Sequence, residues 1–235
     1  MDWQGGGSVS FPATAGCPCS GGSGMLGAAA SAAALEERRQ RDIAILKALG
    51  CSNPTGVADL LQGETVLILS AGNGIDVLLS AERVAPAGRA IGLDDSNELL
   101  AAAREDAAAT ALANVEFLVG DAEAIPLPST SVDVVLGSYV TKLVHDRAAV
   151  FRGIARILRP GGRMTLTEIV AEDADGRRDP GSVGGPAALS SVEMQSVVEA
   201  AGLTAVTLSP LQSVARGLVT AIIRASAPDK DSGSG

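Results

Sequence analysis

Glycines and carboxylates recur in this chain where apolar, strand-like runs end. Gly72 and Gly74 follow the run 66–69, and a glycine turn before a helix lets a ligand approach the backbone closely. Asp94 ends the next run, 20 residues after Gly74, where a carboxylate can accept hydrogen bonds from two ribose hydroxyls. Asp121 follows the third run and could accept a hydrogen bond from the exocyclic amine of adenine. This order predicts a crevice for a nucleoside-type ligand.

The elements that would position these residues alternate between strands and helices. Strands are predicted at 65–69, 89–94, 115–119, 132–137 and 163–170, and helices at 74–85, 96–112, 146–158 and 190–201. Two further strand-like runs, 203–209 and 215–225, are predicted to form an antiparallel hairpin at the sheet edge. The alternation predicts an α/β fold with a doubly wound, mostly parallel, seven-stranded Rossmann-like sheet. The carboxyl ends of its parallel strands meet at one edge, where the candidate residues would gather.

The chain is expected to divide into four parts. They are a flexible Gly/Ser/Pro-rich head at 1–24, an N-terminal helical cap at 25–62, the sheet domain at 63–226 and a flexible tail at 227–235. The cap is predicted to contain an amphipathic helix at 27–49 and a short helix at 55–61. A long loop at 172–188 follows a strand's carboxyl end and could act as a lid.

Composition narrows the classes of partner. The formal net charge is -9 and aromatic residues make up 2% of the chain, so nucleic acid is a disfavoured partner and a small-molecule substrate is favoured. Three cysteines in 235 residues do not indicate a disulfide framework. No run is apolar enough to span a membrane, and no secretory signal is visible. These features predict a cytoplasmic protein; they do not indicate an oligomeric state.

Four side chains have both a chemical and a structural interpretation. His145, the only histidine, could act as a general base near neutral pH, or stand at a helix entry with Asp146 as its N-cap. Tyr139, the only tyrosine, could orient or deprotonate a substrate, or form part of the wall of the site. Cys51 could bind substrate through its thiol or fill a small buried space. Glu168 could face the pocket or lie in solvent.

Several motifs carry a resemblance to a known family. Asp94 is joined by Gly120-Asp121-Ala122-Glu123, Ser131-Val132-Asp133-Val134-Val135 and Leu158-Arg159-Pro160-Gly161-Gly162-Arg163. The set resembles the class I S-adenosylmethionine-dependent methyltransferases. Within them the resemblance is closest to the arsenite methyltransferases, and it covers about residues 45–205. That finer likeness rests on the stretches Gly50–Pro54, Gly63–Leu67, Gly74–Ala81, Val115–Leu118 and Glu123–Pro128.

The resemblance implies that the protein uses S-adenosylmethionine as its cofactor and methylates a small molecule. Together with their placement at strand ends, it assigns cofactor binding to Ser70, Ala71, Gly72, Gly74, Asp94, Asp95, Asp121, Ala122 and Ser138. The catalytic candidates are His145 and Tyr139, and the substrate-binding candidates are Cys51, Tyr139 and Glu168. No metal ligands are predicted.

The chain departs from the family's pattern at identifiable positions. Ile68 stands where the family carries an acid, and Ser70 where it carries the first glycine of the turn. Arsenite methyltransferases bind arsenic through several thiolates; Cys51 matches one of these, whereas Tyr139 stands at another. These departures favour a different acceptor, in a specialised biosynthetic pathway. They also leave open a protein of this fold that works as a cyclase, lyase or isomerase, and a non-enzymatic binding protein.

Overall fold

A mixed seven-stranded sheet lies at the centre of the fold. The structure is a computed structural model that describes residues 58–171, 188–215 and 217–229. The strands are β1 (Thr65–Leu69), β2 (Arg89–Asp94), β3 (Val115–Val119), β4 (Val132–Ser138), β5 (Leu158–Ala171), β6 (Thr204–Ala215) and β7 (Leu218–Ser226). Their order is β3-β2-β1-β4-β5-β7-β6, and β7 runs antiparallel to both β5 and β6. The predicted fold, including the antiparallel edge hairpin, is confirmed.

The helices connect these strands and cover both faces of the sheet. They are α1 (Ile75–Val84), α2 (Asn97–Ala108), α3 (Val140–Leu143), α4 (Arg147–Ile157) and α5 (Ser191–Ala200), with a 3-10 helix at Ala122–Ala124. The bounds of β1, β2 and β3 are those predicted from the sequence. The prediction lacks α3 and the 3-10 helix, because a single turn is too short to show a helical period in hydrophobicity.

The structure corrects the predicted helix at 55–61. Its described part, residues 58–61, is not helical. The Asp59 carbonyl accepts a hydrogen bond from the Arg163 guanidinium instead of from a following helical turn. The predicted head, the helix at 27–49, Cys51 and most of the proposed lid loop lie outside the described residues.

The fifth strand also differs from its prediction. It begins at Leu158 rather than at residue 163, because Leu158 pairs with Val132 before an irregularity in the β4–β5 ladder. The Arg159–Gly162 turn is therefore part of the strand's bulged start.

Alternating side chains of β1 build two apolar layers, one on each face of the sheet. Val66 and Ile68 belong to a buried cluster that includes residues of α1 and α2. Leu67 and Leu69 belong to a second cluster, which includes the buried face of α4. All four side chains are at most 2% exposed. A continuous apolar run is expected of a parallel strand covered on both faces, and it fixes the strand from which the site is built.

Charged side chains brace the amino end of the sheet. The Asp133 carboxylate accepts a hydrogen bond from the Thr65 N–H at 2.8 Å and pairs with Arg159. Glu64 pairs with Arg163 over 2.6 Å between Nη1 and Oε1. These contacts join the start of β1 to β4 and β5 at the edge opposite the predicted crevice.

Gly74, where the turn enters α1, is expected not to tolerate a side chain. Its φ is +78°, and a Cβ would lie 2.8 Å from the Ala103 Cβ and 3.1 Å from the Phe117 ring. We expect Gly74→Ala to lower the free energy of unfolding by about 3 kcal/mol, through backbone strain and overlap together. Gly63→Ala is the matched control, because Gly63 has φ +89° and no neighbour within 4 Å of the added Cβ. Gly63→Ala should lower the free energy of unfolding by only about 1–2 kcal/mol. Equal losses for the two variants in urea unfolding would show that the structure relaxes to relieve the overlap at Gly74.

Candidate active site

Three strand ends meet around the turn that follows β1. Leu69 pairs with Leu93 of β2 on one side and with Gly137 of β4 on the other. The helix after β1 packs on one face of the sheet, and the long helix after β4 packs on the opposite face. This is the topological switch point of the sheet, where α/β proteins form a crevice beyond the carboxyl ends of their strands.

The turn from Ser70 to Gly74 has positive φ at three residues. The angle is +54° at Ser70, +52° at Gly72 and +78° at Gly74. The Ala71 N–H donates to the Leu93 carbonyl at 3.0 Å, and the Gly74 N–H donates to the Ala71 carbonyl at 2.8 Å. Serine adopts this conformation at a cost of roughly 1–2 kcal/mol that glycine does not incur. The backbone therefore keeps the shape of a glycine turn although its first position is serine.

Ser70→Gly is expected to raise the free energy of unfolding by about 1 kcal/mol, because it removes left-handed strain. The neighbouring Ala71 is 7% exposed and has no positive φ. Ala71→Gly should therefore have the opposite effect and lower the free energy of unfolding by about 1 kcal/mol. Chemical unfolding of both variants measures the pair. A loss of stability in Ser70→Gly would mean that contacts of the serine side chain outweigh the backbone strain.

Asp94 ties this turn to the end of β2. Its Oδ2 accepts a hydrogen bond from the Gly72 N–H at 2.8 Å, and its Oδ1 accepts one from the Ser96 N–H at 3.0 Å. A carboxylate oxygen can accept two hydrogen bonds, so these contacts leave one acceptor position on each oxygen. Asp94 is partly exposed. The carboxylate can brace the turn and accept ligand hydroxyls at the same time.

The residues that follow β3 lie beside Asp94. The Gly120 N–H donates to the Asp94 carbonyl at 3.0 Å. Asp121 then caps the 3-10 helix, with its Oδ1 accepting from the Glu123 N–H at 2.8 Å. Asp121 is exposed, which leaves the rest of its carboxylate accessible. The predicted residues at this part of the edge are Asp94, Asp95, Asp121 and Ala122.

Tyr139 has a left-handed conformation where β4 leads into α3. Its φ is +57° and its ψ is +26°, and its N–H donates to the Thr167 carbonyl at 2.7 Å. Ser138, the last residue of β4, pairs with Thr167 of β5. Tyr139 and Ser70 are thus two non-glycine residues with positive φ at adjacent strand ends. Backbone strain of this kind clusters at functional sites.

Glu168 is buried, so its interpretation as a solvated acid is wrong. Its side chain has no exposed surface, and it accepts hydrogen bonds from the Thr141 N–H at 3.1 Å and the Thr141 hydroxyl at 2.6 Å. Burial raises the pKa of Glu168 to about 7, while the hydrogen bonds from Thr141 and the charge of Arg147 oppose the rise. In the structure Glu168 supports the residues after Tyr139 rather than presenting its carboxylate to solvent.

His145 lies at the surface. Its side chain is 102% exposed, and its Nδ1 is 3.9 Å from Glu123 Oε1. Asp146 caps α4, with Oδ1 accepting from the Ala149 N–H at 2.9 Å. The alternative interpretation of this stretch, a helix entry with Asp146 as N-cap, is confirmed. The structure does not bring the imidazole against the buried groups around Glu168.

A family model described as a methyltransferase domain matches the part of the sequence that forms the crevice. The match spans residues 60–195, which is more than half of the chain. The chain belongs to the class I S-adenosylmethionine-dependent methyltransferases. The matched range contains the turn after β1, Asp94, Asp121, Tyr139 and Glu168.

The chain has relatives among known proteins. An arsenite methyltransferase from Halobacterium salinarum is 37% identical over 167 residues, which are 69% of this chain and 43% of that protein. The chain thus spans less than half the length of this relative.

Two solved structures share the fold of this chain. The cyclase SpnF aligns with a TM-score of 0.67 at 20% identity, covering 81% of this chain and 82% of its own. The geranyl diphosphate C-methyltransferase from Streptomyces coelicolor A3(2), solved with S-adenosyl-L-homocysteine, aligns with a TM-score of 0.66 at 14% identity, covering 81% and 83%.

Two contacts of the candidate site could not be predicted from the sequence. Thr141, which binds Glu168, lies in no motif and in an unpredicted helix. Glu123 accepts hydrogen bonds from the backbone N–H groups of His145 and Asp146, more than 20 residues away in sequence. Its place in the Gly-Asp-Ala-Glu run is the signal that could have drawn attention to it.

The described residues include neither a membrane-spanning helix nor a cluster of metal-binding side chains. None of the helices that they form is long and apolar enough to cross a membrane. Within the same residues, no group of three or more His, Cys, Asp or Glu side chains is arranged to hold a metal ion.

Proposed function

We propose that the protein transfers a methyl group from S-adenosylmethionine to a small organic molecule in a specialised biosynthetic pathway. The observation that carries the proposal is the position of Asp94 at the switch point. It braces the left-handed turn and keeps one acceptor position on each carboxylate oxygen. A ribose offers two adjacent hydroxyl donors, which match this carboxylate.

The residues at the carboxyl edge fit the parts of this cofactor. Asp94 would accept the ribose hydroxyls, Asp121 the adenine amine, and the Ser70–Gly74 turn would hold the amino-acid end. The further proposed cofactor contacts are Asp95, Ala122 and Ser138. The bound cofactor supplies an electrophilic methyl group on a sulfonium. The protein would then need mainly to orient the acceptor in line, a task that we assign to Tyr139 at the end of β4.

We propose an acceptor other than arsenite, although the Halobacterium relative is named for it and the sequence resembles that branch. Soft metalloids are held by thiolates. The chain has three cysteines, Cys17, Cys19 and Cys51, of which Cys51 alone matches a thiolate position of the arsenite branch, and Tyr139 stands at a position where that branch carries a cysteine. Cys51 remains a proposed contact to the organic acceptor. The small number of cysteines supports a reducing compartment, for which we propose the cytoplasm.

A second candidate function follows from Ile68. The family's acid at this position is replaced by an aliphatic side chain that is 2% exposed and packs with α1 and α2. Without that acid, the site lacks a charged contact to the methionine part of S-adenosylmethionine, so it would bind the cofactor more weakly. A protein of this fold that works as a cyclase, lyase or isomerase would tolerate the loss. Turnover that persists after the cofactor is stripped would favour this second function.

Calorimetry with S-adenosylmethionine and S-adenosylhomocysteine tests the main proposal. We expect both ligands to bind with dissociation constants below about 1 mM, the usual upper range for enzyme substrates. Native mass spectrometry of the purified full chain should show the cofactor bound at one equivalent. No binding of either ligand at about 1 mM would overturn the proposal.

A further inference from the structure

Residues 139–146, here called the rim segment, connect β4 to α4 across the carboxyl edge of the sheet. Two carboxylates from other elements hold this segment. Glu168 of β5 accepts hydrogen bonds from Thr141, which lies in the first turn of the rim segment. Glu123 of the 3-10 helix accepts hydrogen bonds from the backbone N–H groups of its last two residues. The rim segment therefore depends on side chains distant in sequence for its position.

The first turn of the rim segment is fastened at several atoms. Both carboxylate oxygens of Glu168 accept hydrogen bonds from Thr141, one from its N–H and one from its hydroxyl. Arg147 donates from Nε to the Thr141 carbonyl at 3.0 Å. The Tyr139 N–H donates to the Thr167 carbonyl, directly before Glu168. The left-handed conformation of Tyr139 is thus held from both sides.

Stability alone does not account for Glu168. Removing a carboxylate from water is unfavourable, and apolar side chains of similar size often give equal or greater stability at such positions. Glu168 has no exposed surface, yet it lies in β5 one residue beyond the point where β4 ends, next to the candidate crevice. A buried ionisable group in that position indicates a functional role.

We propose that Glu168 is a positioning residue of the methyltransferase, whose ionised carboxylate fixes the turn Tyr139–Thr141 and thereby shapes the cofactor and acceptor side of the crevice. Glu168 does not touch the reacting atoms; it acts through Thr141 and Tyr139. The effect on the cofactor and acceptor side of the crevice rests on the proposed function. The hydrogen bonding between Glu168 and Thr141 can be measured without any ligand.

The hold depends on the charge of Glu168. In the ionised form both oxygens only accept, which matches the two donors of Thr141. After protonation one oxygen becomes an O–H donor and a weaker acceptor, so the carboxyl group matches the two donors of Thr141 less well. Burial raises the pKa of Glu168 to about 7, so this change falls near neutral pH. The turn should be well fixed above that pH and loosened below it.

In the part of the chain that the structure describes, few other charges surround Glu168. From α4, Arg147 lowers the pKa of Glu168 through its positive charge. In α3, the partly exposed Lys142 follows Thr141. Ala221 of β7, which pairs with Glu168, and Ser138 of β4, which pairs with the preceding Thr167, are uncharged. The exposed His145 lies in the same rim segment, one residue before its end, and is replaced in the test.

The backbone amide of Thr141 reports on Glu168 directly in proton–nitrogen correlation spectra of the full chain. In a His145→Gln background we expect its resonance to shift with one midpoint near pH 7. Adding Glu168→Gln should abolish the shift. Glu123→Gln is the matched control: it removes the other carboxylate that holds the rim segment and should leave the Thr141 titration in place. A Thr141 amide that does not titrate in the parent would overturn the inference.

Two substitutions of Thr141 keep the inference testable if Glu168→Gln does not fold. The Thr141 hydroxyl lowers the pKa of Glu168, so Thr141→Val should move the midpoint of the amide titration to higher pH. Thr141→Ser keeps the hydroxyl and should restore the parent midpoint. Equal midpoints in the valine and serine variants would contradict the proposed contact.

The functional consequence is read from cofactor affinity. We expect S-adenosylmethionine to bind about threefold to tenfold more weakly near pH 6 than near pH 8 in the parent, because fewer molecules have the turn fixed. Glu168→Gln should remove this part of the pH dependence, while effects that come from the ligand remain in both proteins. Binding with identical pH profiles in the two proteins would overturn the positioning role. If the cofactor does not bind at all, the proposed function fails. The Thr141 titration then decides by itself whether ionised Glu168 fixes the turn through Thr141.

Discussion

Asp94→Asn is expected to weaken S-adenosylmethionine binding by roughly ten- to a hundredfold. Two N–H groups, from Gly72 and Ser96, point at the two carboxylate oxygens. Asparagine offers a single acceptor oxygen, so one N–H must face the amide nitrogen, which is itself a donor. The ribose would also lose a charged hydrogen-bond acceptor, worth about 1.5–3 kcal/mol. Calorimetric titration with the cofactor measures the effect.

Asp133→Asn is the matched control for this experiment. Asp133 also accepts a backbone N–H of the β1 region, that of Thr65 at 2.8 Å, but at the opposite edge of the sheet. Both variants should lose about 1–3 kcal/mol of unfolding free energy, because each weakens a brace on β1. Only Asp94→Asn should lose cofactor affinity. Equal losses of affinity in the two variants would mean that general loosening of β1, and not a contact from Asp94, sets the binding.

The strands around the crevice could be predicted because their signals are local. The runs that form β1, β2 and β3 are short and mostly apolar, each is followed by a small residue or an acid, and their bounds agree with the prediction. The parallel register then places the ends of these strands side by side. The location of Asp94 at the edge follows from these two facts alone.

The contacts within the site depend on features that no local pattern carries. The burial of Glu168 requires α3 above it, and α3 has four residues, too few for a helical period to show. The positive φ of Ser70 is a property of the folded turn, which the residue type disfavours. For the same reason the second role of Asp94, as a brace on Gly72, becomes visible only when the turn is seen folded against β2.

Glu168→Gln is expected to be more stable, relative to the parent, at alkaline pH than at acid pH. The pKa of Glu168 is raised from 4.5 to about 7 in the folded state. Between these values the folded state binds more protons than the unfolded state, so the contribution of Glu168 is fully present below pH 4.5 and is lost as pH rises through about 7. Glutamine resembles the protonated acid and has no such dependence. The difference in unfolding free energy, variant minus parent, should rise by about 2–3 kcal/mol from pH 5 to pH 8.

Urea unfolding of both proteins at the two pH values measures this double difference, in which all other titrating groups cancel. Glu116→Gln serves as the control for removing a carboxylate, because Glu116 is exposed and pairs with Arg89 only across 3.6 Å; it should change the unfolding free energy by less than about 1 kcal/mol. A difference for Glu168→Gln that does not change between the two pH values would show that Glu168 titrates as it does in the unfolded chain. A rise of the expected size would mean that, near neutral pH, the protein keeps a charge that lowers its own stability. Such a cost is understandable if the ionised carboxylate is needed to hold Thr141 and the turn at Tyr139 in place.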